Sequence, residues 1–264
     1  MKVQKKFLLQ GAILLFLGLG LGFGLGSFYA SAPVIGCREN DLTPIPDEGF
    51  VSPAASEVPA GSVPETPPAP PDKWVCLTFD DGPSKTTPDV LSALNRAGVK
   101  ATFFVVATGN NDKYLPLSSE AAAAGHQIAL PSASHEYSDI YRSPDAYWQD
   151  LALLKKRIAP YVHTEGIRYL RFPGGSTNTV SRRYGGKGLM SQLKTEVEQR
   201  GWQWVDWNVC AEDAVGGKPS ASTIYRNVVR ETGEQTQCIV LMHDSATTHT
   251  TAEALPDIIQ WYRD

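Results

Sequence analysis

The chain has 264 residues, with 24 lysines and arginines against 28 aspartates and glutamates, and its formal net charge is −4 at pH 7. This length allows one large domain or two small ones. Because the charge is near neutral and no basic stripe runs along the sequence, we expect no nucleic-acid partner.

Residues 1–32 are predicted to export the chain. Three lysines within the first six residues precede an apolar stretch from about Phe7 to Ala32, which is long enough to cross a bilayer. Positive charge before this stretch and almost none just after it predict a cytoplasmic N-terminus and an external remainder. We favour an uncleaved membrane anchor. The alternatives are a secretory signal peptide ending near Ala30-Ser31-Ala32, and lipidation at Cys37.

Residues 33–72 are predicted to form a disordered, Pro-rich linker. Nine prolines lie between Pro44 and Pro71, among Ala, Ser, Glu, Thr and Val, with few large apolar side chains. Such a segment cannot bury enough apolar surface to offset the entropy cost of ordering it. We interpret it as an extended spacer that holds residues 73–264 away from the membrane.

Residues 73–264 alternate short apolar strands with helices. This alternation predicts a parallel sheet, either open or closed into a barrel. The predicted strands are 73–78, 101–106, 127–130, 169–172, 203–209 and 238–242, and the predicted helices are 88–97, 114–124, 144–161, 187–200, 222–231 and 252–262.

The four cysteines do not indicate a disulfide framework. Cys37 stands alone near the predicted anchor, and the other three lie singly within apolar, strand-like runs. A thiol in such a run is usually a small buried hydrophobe. No Cys-x-x-Cys spacing suggests a zinc site. We therefore expect Cys76, Cys210 and Cys238 to be structural.

Polar residues cluster where the predicted strands end. Asp80 and Asp81 follow the first apolar run and precede a Gly82-Pro83 turn. At successive positions of a strand end the two carboxylates diverge, so that one can bind a metal while the other faces a water molecule on it. The carboxyl ends of parallel strands meet on one rim, where catalysis collects in α/β folds. The other clusters are Ser132, Ser134, His135 and Glu136; Arg171; Glu212 and Asp213; and His243 and Asp244.

Four short stretches match the motifs of one known family: Thr-Phe-Asp-Asp-Gly-Pro at 78–83, the Gly-His-Gln-Ile lead-in at 125–128, Arg-Phe-Pro-Gly-Gly at 171–175 and Leu-Met-His at 241–243. With these motifs, the stretch from about Trp74 to Tyr262 resembles the polysaccharide deacetylase domain, the NodB-homology domain of carbohydrate esterase family 4. This resemblance implies an α/β fold, a distorted (β/α) barrel of about seven parallel strands, preceded here by the N-terminal apolar helix and the Pro-rich linker.

The resemblance also implies the roles of individual residues in the hydrolysis of an N-acetyl group. Asp80 would be the general base and Arg171 would hold its orientation and charge state. Asp81 and His135 would bind a divalent metal, usually Zn²⁺ in this family, which lowers the pKa of a bound water.

The remaining implied roles concern the acyl oxygen and the leaving group. The backbone N–H near Gly174 would share the oxyanion with the metal. His243 would protonate the leaving amine, with Asp213 keeping it cationic, and Leu241 would wall the small acetyl pocket.

One family motif is altered in this sequence. The second motif should read His-(Ser/Thr)-x-x-His, but the aligned stretch is Pro131-Ser132-Ala133-Ser134-His135. Proline offers no group that can bind a metal, and hydrolytic zinc sites normally hold three protein ligands. Asp81 and His135 supply two, so we expect the metal, Zn²⁺ in the first instance, to bind weakly or not at all. The candidate substitutes are His126, Ser132 and Glu136, and His126 aligns with a family position that is not a ligand.

These observations predict an exported, monomeric deacetylase anchored outside the cell membrane. Its substrate would be a cell-wall amino-sugar polymer, either peptidoglycan or a chitin-like polymer of N-acetylglucosamine, and an O-acetylated polymer such as arabinoxylan is a further alternative. The competing hypothesis is a degenerate, non-catalytic domain that binds cell-wall glycan or a protein partner. The altered second motif favours this alternative, whereas Asp80, Arg171, Asp213 and His243 favour the enzyme.

Overall fold

The structure, a computed structural model, describes residues 73–264. The predicted anchor and linker, residues 1–72, lie outside the described residues. Within residues 73–264, none of the helices combines the length and the apolar character that crossing a membrane requires. The alternation of strands and helices predicted for this part of the chain is present.

In the described part of the chain, seven strands form two sheets, and every pair within them is parallel, as predicted. The larger sheet has the order β3-β2-β1-β7-β6, and β4 and β5 form the smaller one. The strands are β1 (Trp74–Gly82), β2 (Thr102–Val105), β3 (Gln127–Ala129), β4 (Tyr169–Leu170), β5 (Gln203–Trp204), β6 (Val209–Cys210) and β7 (Gln237–His243).

A single parallel bridge between Leu130 and Leu170 connects the two sheets. The pairings therefore run from β6 through β7, β1, β2 and β3 to β4 and β5. Among the described residues, β5 and β6 are not paired with each other. The seven parallel strands thus follow one another as in the predicted barrel. Among the described residues, the barrel is not closed by backbone hydrogen bonds between β5 and β6.

Residues 73–264 contain eight α-helices, which alternate with the strands and include all six predicted ones. A Ser143 hydroxyl accepts the Ala146 N–H at 3.1 Å and begins the long helix α4, with Pro144 in its first turn. The helices are α1 (Thr87–Ala97), α2 (Leu117–Ala123), α3 (Tyr137–Ile140), α4 (Pro144–Ile158), α5 (Val180–Gly185), α6 (Leu189–Gln199), α7 (Ala221–Thr232) and α8 (His249–Arg263), with 3₁₀ turns at Asp112–Tyr114 and Thr164–Gly166.

The structure corrects several predicted boundaries. The strand predicted over residues 203–209 is two strands, because β5 pairs with β4 whereas β6 pairs with β7. An apolar run cannot reveal such a change of partner. The first strand continues past its predicted end and includes both aspartates at its carboxyl end, with an irregular register between Asp80 and Gly82. Helices α3 and α5 were not predicted, since they are too short to show a helical period.

The central strands β1 and β7 run through the core. Phe79 and Val240 are fully buried there, and Leu94 of α1 and Ile258 of α8 are equally buried. Helix α8 packs against both α1 and α7. This arrangement fixes the ends of β1 and β7 rigidly beside each other.

Two of the three cysteines predicted to be structural, Cys210 and Cys238, lie largely out of contact with solvent. Cys238 is buried and Cys210 is half-buried, and neither forms a disulfide within the described part of the chain. Burial raises the pKa of both thiols above the ordinary cysteine value, so they remain protonated at neutral pH. Both therefore behave as the small hydrophobes that the sequence predicted.

Candidate active site

The predicted base and the predicted acid lie side by side at the carboxyl ends of two neighbouring strands. Asp80 of β1 and His243 of β7 are register partners. The Asp244 N–H donates to the Asp80 carbonyl oxygen at 3.2 Å and ties the two strand ends together. The backbone of the central sheet therefore sets the spacing of this pair.

The buried Arg171 orients the Asp80 carboxylate. Its side chain is 1% exposed, and Nη1 donates to Asp80 Oδ1 at 2.7 Å and to Thr78 Oγ1 at 2.9 Å. Nε donates to the Val205 carbonyl oxygen at 2.9 Å. Burial raises the pKa of Asp80 above its ordinary value, and the positive charges of Arg171 and His243 oppose that rise. This balance of burial and charge suits a carboxylate that must accept a proton.

Aromatic rings make the buried Arg171 charge tolerable. The guanidinium carbon lies 4.0 Å from the centre of the Phe104 ring and 5.4 Å from that of Trp207. A buried cation without partners would be strongly destabilising, but here four acceptors and two ring faces surround it. The sequence predicted the pairing of Arg171 with Asp80, and the geometry confirms it.

Asp213 holds the predicted acid, His243, with both carboxylate oxygens. Oδ1 lies 2.8 Å from His243 Nδ1, and Oδ2 accepts the His243 backbone N–H at 2.7 Å. Thr251 also donates its hydroxyl to Oδ2, at 2.7 Å. Burial lowers the pKa of His243, but the hydrogen bond and charge of Asp213 outweigh that effect and raise the pKa to about 9. His243 is therefore cationic at neutral pH, and Nε2 is the ring nitrogen left to give up a proton.

The two predicted metal ligands also come together. His135 Nε2 lies 3.4 Å from Asp81 Oδ1, and this oxygen is buried without a hydrogen-bond partner among residues 73–264. Both residues have a left-handed backbone, with φ of 65° at Asp81 and 57° at His135. Non-glycine residues in this conformation are strained and cluster at functional sites. The left-handed backbone and the unpartnered oxygen make this pair a candidate ligand-binding feature.

A third metal ligand is missing from the described residues. Within residues 73–264, no three His, Cys, Asp or Glu side chains are grouped as a metal centre requires. The Ser132 hydroxyl is already committed, since it donates to Asp150 Oδ2 at 2.7 Å and accepts the His135 N–H at 3.0 Å. Glu136 is exposed. The donor set of Asp81 and His135 therefore does not fit a conventional three-ligand zinc site.

His126 is a structural histidine, as its position in the sequence motif indicated. It is 5% exposed, and its Nδ1 accepts the Ala101 N–H at 3.2 Å. Its ring packs edge-on against Phe103 at 5.4 Å. Burial, helped by the nearby Lys100 charge, lowers the pKa of His126 to about 4. The neutral His126 imidazole therefore supports the packing of β2 against β3. It is not a third ligand beside Asp81 and His135.

Asp150 of α4, which the motifs did not identify, holds the loop that presents His135. Its Oδ2 accepts the Ala133 N–H at 2.6 Å as well as the Ser132 hydroxyl, and Oδ1 accepts the Ser134 N–H at 3.0 Å. The sequence contained a signal for this role. Asp150 is a carboxylate on the same helix face as the apolar residues Tyr147 and Leu154, where a charge needs partners.

Asp244 is a second residue whose role the sequence did not reveal. It is 1% exposed, and its Oδ2 accepts the Thr87 hydroxyl at 2.6 Å. A Cβ atom added to Gly82 would lie 2.2 Å from this carboxylate, so only glycine fits beside it. Burial raises the pKa of Asp244 to about 7, although the Thr87 hydrogen bond opposes the rise. Asp244 thereby fixes the turn that follows Asp80 and Asp81.

Gly174 and Leu241 complete the set of predicted residues. Gly174 has φ of 77°, and a Cβ atom there would lie 3.2 Å from the Tyr137 hydroxyl oxygen. The Tyr137 ring lies 5.7 Å from the His135 ring, and burial together with the Asp81 charge raises the pKa of the Tyr137 phenol. Leu241 of β7 is 6% exposed. Its role as a wall of the acetyl pocket remains a prediction.

Comparisons with known proteins indicate the family of this chain. The family profile described as polysaccharide deacetylase matches residues 68–187. A peptidoglycan-N-acetylglucosamine deacetylase of Bacillus cereus is 30% identical over 177 residues, which are 65% of this chain and 60% of that protein. The solved catalytic domain of a peptidoglycan N-acetylglucosamine deacetylase from Eubacterium rectale has a TM-score of 0.66 at 38% identity, covering 72% of this chain and 83% of that one. A CE4 esterase structure from Streptococcus mutans has a TM-score of 0.62 at 28% identity, covering 73% and 83%.

The curated relatives are longer than the region they share with this chain. The match spans 60% of the Bacillus cereus protein and 34% of the deacetylase PgdA of Listeria monocytogenes, which is 33% identical over 185 residues. The solved Eubacterium rectale domain, in contrast, is covered over most of its length. This match and the family profile show that the chain belongs to the polysaccharide deacetylase family.

Proposed function

We propose that this protein is an exported hydrolase that removes N-acetyl groups from cell-wall amino-sugar polymers, with peptidoglycan as the first candidate substrate. One observation supports the proposal most strongly. A buried Arg171–Asp80 pair and a His243–Asp213 pair stand on adjoining strand ends, and together they supply a base and an acid for amide hydrolysis. Relatives named as peptidoglycan N-acetylglucosamine deacetylases support the choice of substrate.

The roles of the residues follow from their protonation states. Asp80 takes a proton from the attacking water, while Arg171 keeps its carboxylate oriented. The new C–O bond forms at the acetyl carbon, and the Gly174 N–H donates to the developing oxyanion. His243 then gives its Nε2 proton to the amine nitrogen as the C–N bond breaks. The products are acetate and the free amino sugar.

We further propose that the site binds a divalent cation such as Zn²⁺ only weakly. Asp81 and His135 are two suitable ligands, and Pro131 stands where the family motif has the first histidine. With two protein ligands instead of three, the affinity should be far below that of an ordinary hydrolytic zinc site.

A second candidate function is a non-catalytic domain that binds cell-wall glycan or a protein partner. The absence of a three-ligand metal group within residues 73–264 favours it. The arrangement of Asp80, Arg171, Asp213 and His243 argues against a non-catalytic domain. Packing of the fold alone does not require a buried arginine that is hydrogen-bonded to Asp80 and Thr78, nor a histidine with a raised pKa.

The test compares the purified full-length chain with its Pro131→His variant. Acetate release from N-acetylglucosamine oligomers is measured for both, and Zn²⁺ is titrated calorimetrically. Acetate release by the parent chain supports the deacetylase. If only the variant binds Zn²⁺ and releases acetate, the parent is a disabled enzyme scaffold, and glycan binding becomes the function to pursue.

We propose that the N-terminal segment anchors the enzyme on the outer side of the cell membrane and that the enzyme is a monomer. Lys2, Lys5 and Lys6 before the apolar stretch support this orientation. Mass spectrometry of the membrane-extracted protein distinguishes an intact N-terminus from one cleaved near Ala32 or lipidated at Cys37. Recovery of the cleaved form in the medium would contradict the anchor.

A further inference from the structure

Tyr137 lies at the predicted reaction centre, although nothing in the motifs identifies it. It begins the short helix α3, directly after the loop that carries His135. Its ring lies 5.7 Å from the His135 ring and stacks on Tyr141 at 6.0 Å. The half-buried side chain is therefore held by packing on one side and faces the Asp81–His135 pair on the other.

The Tyr137 hydroxyl is adjacent to the predicted oxyanion donor. A Cβ atom on Gly174 would lie 3.2 Å from it, so the glycine leaves room for this hydroxyl. Within residues 73–264, neither the Tyr137 hydroxyl nor the Gly174 N–H makes a hydrogen bond. The Tyr137 hydroxyl therefore lies next to Gly174, and among residues 73–264 neither donor has an acceptor.

The two neighbouring tyrosines, Tyr141 and Tyr147, do not share this combination of an unpaired hydroxyl and a position beside Gly174. Tyr141 donates its hydroxyl to the Pro173 carbonyl oxygen at 2.8 Å, and the Tyr147 hydroxyl is buried without a partner in the described structure. Of these three stacked rings, Tyr137 alone combines partial exposure with a position beside Gly174 and Asp81. An uncommitted phenol at such a place is available to a ligand.

We propose that Tyr137 is a further catalytic residue, whose hydroxyl donates a hydrogen bond to the acetyl oxygen as negative charge develops there. This inference rests on the proposed function of the same site. A phenol carries its own O–H donor, so it can donate this hydrogen bond without first losing or gaining a proton. Together with the Gly174 N–H it forms a two-donor oxyanion hole in a chain that lacks one metal ligand.

The test uses Tyr137→Phe, which removes the hydroxyl and keeps the ring against His135 and Tyr141. Tyr147→Phe is the matched control, because it makes the same chemical change in the same stack at a hydroxyl without a partner. Loss of one oxyanion donor typically lowers kcat by about 100-fold or more. We expect this loss for Tyr137→Phe with KM nearly unchanged, and parent-like kcat for Tyr147→Phe.

A second measurement does not depend on turnover. A glucosamine oligomer carrying a methylphosphonamidate in place of the acetamide presents a tetrahedral, anionic oxygen, and its binding is titrated calorimetrically. We expect Tyr137→Phe to bind this analogue at least about 10-fold more weakly than the parent does, and Tyr147→Phe to bind it equally well.

The outcomes separate this inference from the proposed function. If the parent releases no acetate but the analogue binds Tyr137→Phe more weakly than Tyr147→Phe, the proposed function fails. The role of Tyr137 as a hydrogen-bond donor to an anion then stands. If Tyr137→Phe retains the parent kcat or the parent affinity for the analogue, the inference is overturned. Failure of the parent itself to bind the analogue overturns it as well.

Discussion

At the scale of single residues, the two side chains proposed as acid and base each have one close charged partner. Asp213 is that partner for His243, because it accepts both the ring Nδ1 hydrogen and the backbone N–H. Arg171 is the partner of Asp80. Removing a partner should therefore shift the pKa of the group that it contacts.

Asp213→Asn should shift the pH dependence of acetate release. His243 must be protonated to act as the acid, and its raised pKa of about 9 keeps it so through neutral pH. Without the Asp213 charge, burial dominates and the pKa of His243 falls. We expect the basic limb of the kcat/KM profile to move to lower pH.

The matched control for this profile is Thr251→Val. It removes one hydrogen bond to Asp213 and keeps the carboxylate charge. We expect the basic limb of the Thr251→Val profile to lie close to that of the parent. The basic limb of the Asp213→Asn profile should lie at clearly lower pH. An Asp213→Asn profile that coincides with the parent profile would show that His243 is not the acid.

The left-handed backbone of His135 predicts an unusual order of stabilities. With φ of 57° at this position, a Cβ atom is strained, whereas glycine adopts the conformation freely. We expect His135→Gly to be more stable to unfolding than His135→Ala by about 1 kcal/mol. Chemical denaturation of the two variants measures the difference. The opposite order would mean that the loop relaxes once the imidazole is lost.

At the scale of elements, the site depends on contacts between a helix or a strand and the loop beside it. The loop from Ser132 to His135 has no strand to hold it, and Asp150 of α4 accepts three of its hydrogen bonds. Hydrogen bonds to a charged acceptor are stronger than neutral ones. Helix α4 therefore acts as the support of the second motif.

Asp150→Ala should loosen this loop. Loss of three charge-assisted hydrogen bonds leaves two backbone N–H groups unpaired, and we expect a loss of about 2–4 kcal/mol in the free energy of unfolding. Amide hydrogen exchange at Ala133 and Ser134 should accelerate. Gln149→Ala, an exposed neighbour on the same helix, is the control and should leave both quantities unchanged. Equal exchange in the two variants would rule out the supporting role of Asp150.

At the scale of the whole molecule, Asp244 connects the central sheet to α1 and couples stability to pH. Its pKa is raised from 3.8 to about 7 by burial, so the folded state binds a proton that the unfolded state releases above pH 4. This contribution to stability is present at low pH and is lost as the pH rises through about 7.

Asp244→Asn removes this dependence and keeps the side-chain shape. We measure the free energy of unfolding of both proteins in urea and subtract the value of the variant from that of the parent. We expect this difference to be smaller at pH 8 than at pH 5. Other titrating groups contribute equally to both proteins and cancel in the difference. A gap that widens with pH would show that the Asp244 carboxylate is ionised and well paired in the folded state.

The sequence by itself determined the alternation of strands and helices, the parallel pairing and which motif residues stand at the strand ends. Local patterns carry this information, since apolar runs, helix-ending glycines and short motifs depend only on near neighbours in the chain. The pairing of Arg171 with Asp80 was also predictable, although the two residues lie 91 positions apart, because both belong to recognisable motifs.

Only the tertiary structure decided which residues support those motifs. Asp150 lies on a helix that carries no motif, and Asp244 and Tyr137 stand beside motifs that do not include them. Each has a partner in another part of the chain. The division of residues 203–209 between two sheets depended likewise on which strand offers free hydrogen-bonding groups. Local patterns cannot encode such choices, because long-range packing and hydrogen bonding are satisfied only when the whole chain has folded.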